Sequence, residues 1–205
     1  MTKPNLRCLF VVGIFFLSSV LFTFVCTVSS GAEAPAWNWK QLVLLFGEEQ
    51  KEYVVEMKSS SGGLYTTTPF PGYPSCSGCF TVIDVEGKIH RVVDESGKNL
   101  PEYDWVKGRK SVDLPLAKGK KWSVWATIKD PDGKIRDYYI SNKVGDVKTI
   151  KIAAGEFEVF EVEREVTLRD RSWSAMTKVY YAPALNLVVK YIGPGNHRWE
   201  LKSIQ

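Results

Sequence analysis

Histidine is nearly absent from this chain: 205 residues carry two, His90 and His197, alongside three methionines and four cysteines. A zinc site built on Cys76 and Cys79 would have to recruit both histidines from strand-like or turn segments, so no metal is expected. Haem attachment is excluded by Phe80, because His must directly follow the second cysteine of a C-x-x-C pair. No nucleophile elbow and no phosphate-cradling glycine loop occur. Asp130-x-Asp132-Gly133 opens like a calcium loop but lacks a Glu at the twelfth position, and a hairpin turn accounts for it. The carboxylate pairs Asp94-Glu95 and Glu163/Glu165 read as ordinary solvated positions on half-exposed strands. These absences predict a non-enzymatic protein without a cofactor.

Charge of one sign is also missing. The formal net charge is +4, and the only dense basic cluster, Lys118, Lys120 and Lys121, flanks Gly119 in a turn. Without a basic stripe, nucleic acid is not an expected partner. The one long hydrophobic run is Cys8–Val28, 21 uncharged residues preceded by Lys3 and Arg7 and followed by Ser29, Ser30, Gly31 and Ala32. This is the pattern of an export signal, and cleavage is expected after Ala32. The run exceeds the roughly 7–15 residues of a usual signal core and approaches the roughly 20 that span a bilayer, so a retained anchor at residues 8–28 is the alternative. Phe24 and Val25 precede Cys26 where a lipid-attachment site needs small residues, which argues against a lipoprotein. Losing Lys3 and Arg7 with residues 1–32 lowers the net charge to +2 and leaves residues 33–205, enough for a single domain, periplasmic or secreted. Membrane contact is then expected only through an uncleaved N-terminal segment.

Sustained helical periodicity is lacking too. Trp122, Val124, Ala126 and Ile128 alternate with polar neighbours before the Asp130-Pro131-Asp132-Gly133 turn, and a second strand returns over Lys134–Ile140. Ile150 and Ile152 begin another unit, and a long strand runs over Glu156–Leu168. In it, Phe157 and Val159 are apolar at odd positions but Phe160, Val162, Val166 and Leu168 at even ones, which predicts a bulge or bend near Val159 and Phe160. Trp173–Tyr181, Leu185–Tyr191 and Trp199–Leu201 follow after short turns, which favour antiparallel neighbours. Earlier strands are expected at Leu42–Phe46, Tyr53–Met57, Phe80–Val85 and Lys88–Val93, with a short helix within residues 37–57 as an alternative and a long loop over Ser59–Ser75. The expectation is an all-β, curled antiparallel meander, an open or half barrel, in which Phe157, Phe160, Val162, Tyr181, Leu187 and Trp199 share one core.

The run Thr149–Phe160, with Val179-Tyr180-Tyr181-Ala182-Pro183 and Leu187-Val188-Val189-Lys190, resembles a C-terminal pattern of uncharacterised β-rich families of bacterial secreted and envelope proteins. Asn186 stands where that pattern carries Gly, an exchange that suits a left-handed turn position. The resemblance implies an envelope or secreted domain with a curled sheet and carries over no catalytic residue.

Two features remain as candidate sites. Cys76 and Cys79 are the only cysteines left after export, and an oxidising compartment favours their pairing as a structural disulfide. A catalytic redox pair should open a helix, whereas Phe80-Thr81-Val82-Ile83 leads into a strand. Of the seven tryptophans, Trp122, Trp173 and Trp199 fit apolar strand faces. Trp125 points away from them and, with Tyr138 and Tyr180, is a candidate ligand or partner surface. The function classes this leaves are a structural or interaction domain of the cell envelope with a protein partner, a periplasmic carrier of a lipid or other apolar ligand in a half-barrel groove, and a thiol redox protein. A contiguous apolar cavity favours the second.

Overall fold

The computed structural model describes residues 41–69, 76–106, 108, 110–129 and 133–205. The export segment, Trp37 and Trp39, the Pro-rich lead-in 70–75 and the Asp130–Asp132 part of the hairpin turn lie outside them.

The fold is all-β, and the described strands form one open antiparallel sheet. Five strands come first: β1 (Gln41–Phe46), β2 (Lys51–Ser59), β3 (Tyr65–Thr67), β4 (Cys79–Ile83) and β5 (Ile89–Asp94). Six follow: β6 (Lys121–Lys129), β7 (Ile135–Ile152), β8 (Gly155–Leu168), β9 (Ser174–Ala182), β10 (Leu187–Ile192) and β11 (Arg198–Ile204). The spatial order is β5-β4-β3-β2-β1-β11-β10-β9-β8-β7-β6. Two meanders are therefore joined through the pairing of β1 with β11, where Gln41 and Gln205 each donate a backbone N–H to the other's carbonyl at 2.9 Å. Of residues 37–57, where a helix competed, those described belong to β1, β2 and the turn at 47–50 between them, and 37–40 lie outside the described residues. A 3-10 helix at Pro101–Val106 packs against both β5 and β6, the two edge strands, and covers edges that would otherwise template association. Among the described residues, no helix is long and apolar enough to cross a membrane.

Three local expectations are corrected. The Ser59–Ser75 segment contains β3, which pairs with both β2 and β4. Lys134–Ile140 and Ile150–Ile152 belong to one strand, β7, rather than two. The irregularity expected in β8 sits in its partner: the register slips between Val144 and Val147, opposite Val162 and Phe160, while β8 pairs with β9 without interruption. Gly145 occupies the slip because a Cβ there would lie 3.3 Å from the Glu161 carbonyl oxygen. β8 changes its apolar parity for a different reason: both its faces are covered, by different cores. Val159 packs with Leu42, Leu44, Val189 and Leu201, whereas Val162 packs with Val144 and Val179 on the other side.

The expected single core is accordingly divided. Leu187, Phe157 and Trp199 belong to the first cluster, Val162 and Phe160 to the second. β10 is split by a bulge between Val188 and Lys190, so Leu187 and Val189 enter the first cluster while Tyr191 packs against the second. Trp122 and Trp199 are half-buried, but Trp173 is 45% exposed and meets Tyr138 edge-on at 6.1 Å, so it is not a core residue.

Candidate functional site: a cavity inside the curl

The sheet curls so that β3, β4 and β5 face β6 to β10 across a cavity of about 520 Å³. Its floor can be read from the strand register. One apolar row crosses six strands as Phe46, Trp199, Tyr191, Val179, Val162 and Val144. Another joins Val124, Ile140, Val166 and Ala175. Ile83 and Ile89 contribute from the opposite wall, and Trp173, Pro194 and His197 are exposed lining residues.

Between the two apolar rows runs a polar one. Asn142, Arg164 and Thr177 are register partners on β7, β8 and β9, and Asn142 and Thr177 are buried. Burying such groups is costly unless they are hydrogen-bonded. Arg164 Nε donates to Asn142 Oδ1 at 2.8 Å, and its Nη2 donates to the Ser111 carbonyl at 2.8 Å. Asn142 Nδ2 donates to the Trp122 carbonyl at 3.4 Å, and the Thr177 hydroxyl to the Arg164 carbonyl at 3.4 Å. Across the cavity the buried Thr67 and Thr81 hydroxyls bond each other at 2.8 Å.

The segment Lys110–Pro115 straps one corner of this cavity. It is fixed from β8 by Arg164 and from the β4–β5 hairpin by Glu86. The Glu86 carbonyl accepts from the Ser111 and Val112 amides, and its Oε1 accepts from the Leu114 amide at 2.8 Å. The hairpin that aims Glu86 is closed by Asp84, whose Oδ1 accepts from the Glu86 and Lys88 amides at 3.0 Å. Gly87 completes it at φ +68, where a Cβ would fall 2.8 Å from Ser111 Oγ.

Asp113 binds Lys110 and, at 2.8 Å, Lys120, and the hydrogen bond from Lys110 holds its carboxyl below the usual 3.8. A carboxyl depressed in the folded state contributes stability above its ordinary pKa and loses it as pH falls through the lower value. Below about pH 4 the wild type is therefore expected to lose melting temperature faster than Asp113→Asn, and parallel acid profiles would refute the role of this carboxylate.

The residues singled out from sequence do not form one surface. Trp125 is 63% exposed and packs on Tyr139 at 5.3 Å between centroids. Tyr138, one residue along, is buried on the opposite face and lines the cavity. Tyr180 is buried in the first cluster, with the Lys148 ammonium 5.0 Å from its ring. Burial raises its pKa. Trp125→Ala is expected to change stability by no more than about 0.5 kcal/mol in urea titration, as for a surface change away from special features. A loss above about 1.5 kcal/mol would show that its outer face is covered.

Cys76 and Cys79 stand at disulfide-bonding distance, with Cα atoms 5.8 Å apart. Cys79 is 3% exposed and packs with Val92 and Val106. Because the closed loop is much shorter than one of 15 residues, the double change Cys76→Ser, Cys79→Ser is expected to cost well under about 3 kcal/mol and leave a folded protein. Among the described residues, no cluster of three His, Cys, Asp or Glu could hold a metal ion.

Sequence reasoning missed Lys110, Ser111, Asn142, Arg164 and Thr177. A signal was present: each of Asn142, Arg164 and Thr177 interrupts an apolar alternate series, Ile140 to Val144, Val162 to Val166 and Ala175 to Val179. Only the register shows that the three interruptions lie at one level.

No protein-family model matches the chain, and no curated protein matches it at a significant level. Solved structures similar to it include the hypothetical lipoprotein YmcC of Escherichia coli K12, at 14% identity and a TM-score of 0.47 over 82% of this chain and 88% of that one. A Parabacteroides distasonis protein assigned as a lipoprotein has 11% identity and a TM-score of 0.44, over 83% of this chain and 97% of its own. A Bacteroides fragilis protein with a YmcC-like fold, assigned as exported, has 12% identity and a TM-score of 0.41, again over 83% and 97%. At these values the likenesses carry no function or location across to this chain.

Proposed function

We propose that this chain is an exported, non-enzymatic envelope domain that holds a small apolar ligand inside its curled sheet. The observation that carries the reading is the cavity: about 520 Å³, walled by Val124, Ile140, Val166, Val179, Tyr191 and Trp199. That volume lies within the roughly 300–1,000 Å³ of small-molecule sites, and a mostly apolar lining with a few convergent polar groups is their usual make-up. The export half of the reading rests on the apolar run Cys8–Val28 and the small residues after it.

Ala175 offers the direct test, because it lies on the cavity floor beside Val166. Ala175→Phe is expected to weaken uptake of the neutral fluorophore N-phenyl-1-naphthylamine at least tenfold without lowering the melting temperature. Filling an existing cavity does not overpack a core. Absence of saturable uptake by the wild type would remove the ligand-carrier reading.

A partner-binding role is the second reading, favoured by the exposed pair Trp125 and Tyr139 on the outer face. For a thiol redox role, the burial of Cys79 is unfavourable, since reactive cysteines sit in accessible, electropositive surroundings.

A further inference from the structure

Among the described residues, the charged side chains that line the cavity are basic. Lys110 and Arg164 line it, His197 is the remaining titratable base in its lining, and no Asp or Glu is among the described lining residues. Two carboxylates outside that lining pair with Lys110: Glu86, which also accepts from the Leu114 amide, and Asp113, which also binds Lys120. The polar row divides the floor into two apolar sides, one with Val179, Tyr191 and Trp199 and one with Val124, Ile140, Val166 and Ala175. Lys110, Ser111, Arg164 and Thr177 gather at the strapped corner, where Arg164 Nη2 meets the Ser111 carbonyl at 2.8 Å. From there the row Val124, Ile140, Val166 and Ala175 is wholly apolar and leads to Tyr138 and Trp173.

We propose that the ligand is a single-chain amphiphile with an anionic head, a carboxylate or a phosphate, whose head group sits at Lys110, Ser111 and Arg164 and whose chain lies along the Val124–Ala175 row. This rests on the cavity-carrier reading and sharpens it. A guanidinium and an ammonium in a partly desolvated corner give charge-assisted hydrogen bonds to an anion, roughly twice as strong as neutral ones. A neutral head would leave that advantage unused, and a cationic head would meet like charge. One acyl chain also suits a cavity of this size better than two.

The test uses the purified full-length chain and titrates hexadecanoate, hexadecanol, hexadecyltrimethylammonium and 1-palmitoyl-lysophosphatidate by displacement of a bound fluorescent fatty acid. The acid is expected to bind at least tenfold tighter than the alcohol, and the ammonium weakest. The ratio of acid to lysophosphatidate then distinguishes a carboxylate from a phosphate source. Arg164→Gln and Lys110→Gln should each lose most of the acid-over-alcohol preference while hexadecanol binds as before, and Arg164→Lys should restore part of it. Equal affinity for acid and alcohol in the wild type overturns this inference while leaving the carrier reading intact. If none of the four binds, the carrier reading fails with it. Should Arg164→Gln not fold, because the strap loses its anchor at Ser111, the wild-type head-group comparison still decides.

Discussion

Leu201→Ala is expected to destabilise the domain by about 2–5 kcal/mol, towards the upper end of that range. Leu201 is fully buried in the middle of β11 and pairs with Leu44 on β1, so it sits at the seam where the two meanders meet. The seam is also covered by the end of the β7–β8 hairpin: the Ala154 amide donates to the Leu201 carbonyl at 3.1 Å, and the Ala153 amide to Glu200 Oε1 at 3.2 Å. Leu42, Val55, Val159 and Val189 close the remaining sides. Neighbours held by backbone ladders on several strands cannot move into the space left by three carbons, and the cost of truncation rises with the cavity that remains. Against a total stability of about 5–15 kcal/mol, such a loss leaves a marginal fold. Leu44→Ala should interact with it non-additively, because the two side chains share one cavity. Urea titration of both single variants and the double variant measures this. A cost below about 1 kcal/mol for Leu201→Ala would mean that β1–β11 is not a structural seam.

The sequence is most legible where one face of a strand is wet. β6 and the first part of β7 alternate cleanly, because Trp125 and its neighbours on that side face outward while Val124 and Ile140 face the cavity. Legibility falls where both faces are covered. In β8 the parity change between Val159 and Phe160 reads as a bend, yet it records two cores on opposite sides of an uninterrupted strand. β3 is silent for another reason: three residues are too short to show a period, and Tyr65–Thr67 become a strand because β2 and β4 offer ladders on both sides. Nor does local sequence announce the β1–β11 pairing, which joins residues more than 150 positions apart and depends on the whole sheet curling.

The candidate site divides along the same line. Its apolar floor follows from strands whose inward positions are already visible, but its polar corner is assembled from Glu86, Lys110, Ser111, Asn142 and Arg164, drawn from four separate segments. No motif links them. Trp173 is instructive in the opposite sense: it has the phase of an inward residue and lines the cavity, but it immediately precedes β9 and stays 45% exposed.

Asn186→Ala is expected to cost about 2–5 kcal/mol, a large effect for a turn residue, because two separate terms act together. Asn186 adopts φ 52 in the turn between β9 and β10, a conformation that costs an alanine roughly 1–2 kcal/mol. It is also 3% exposed, and its Oδ1 accepts a hydrogen bond from the Tyr181 hydroxyl. Removing that acceptor strands a buried donor, worth about 1–3 kcal/mol. Asn186→Gly separates the terms, since glycine accepts the left-handed backbone but supplies no acceptor; it should recover the strain and keep the hydroxyl penalty. Adding Tyr181→Phe to Asn186→Gly removes the stranded hydroxyl, so the double variant should be more stable than Asn186→Gly alone. Alkaline pH gives an independent reading of the same group. Burial, with a smaller contribution from Glu86, pushes the Tyr181 pKa from 10.0 up to about 12. Its contribution is intact below pH 10 and is lost as pH rises from there through about 12, because the unfolded chain releases the phenolic proton first. The wild type should thus lose melting temperature more steeply than Tyr181→Phe over that interval. If the two alkaline profiles coincide and Asn186→Gly is no less stable than the wild type, the Tyr181 hydroxyl is solvated and Asn186 serves the turn through its backbone alone.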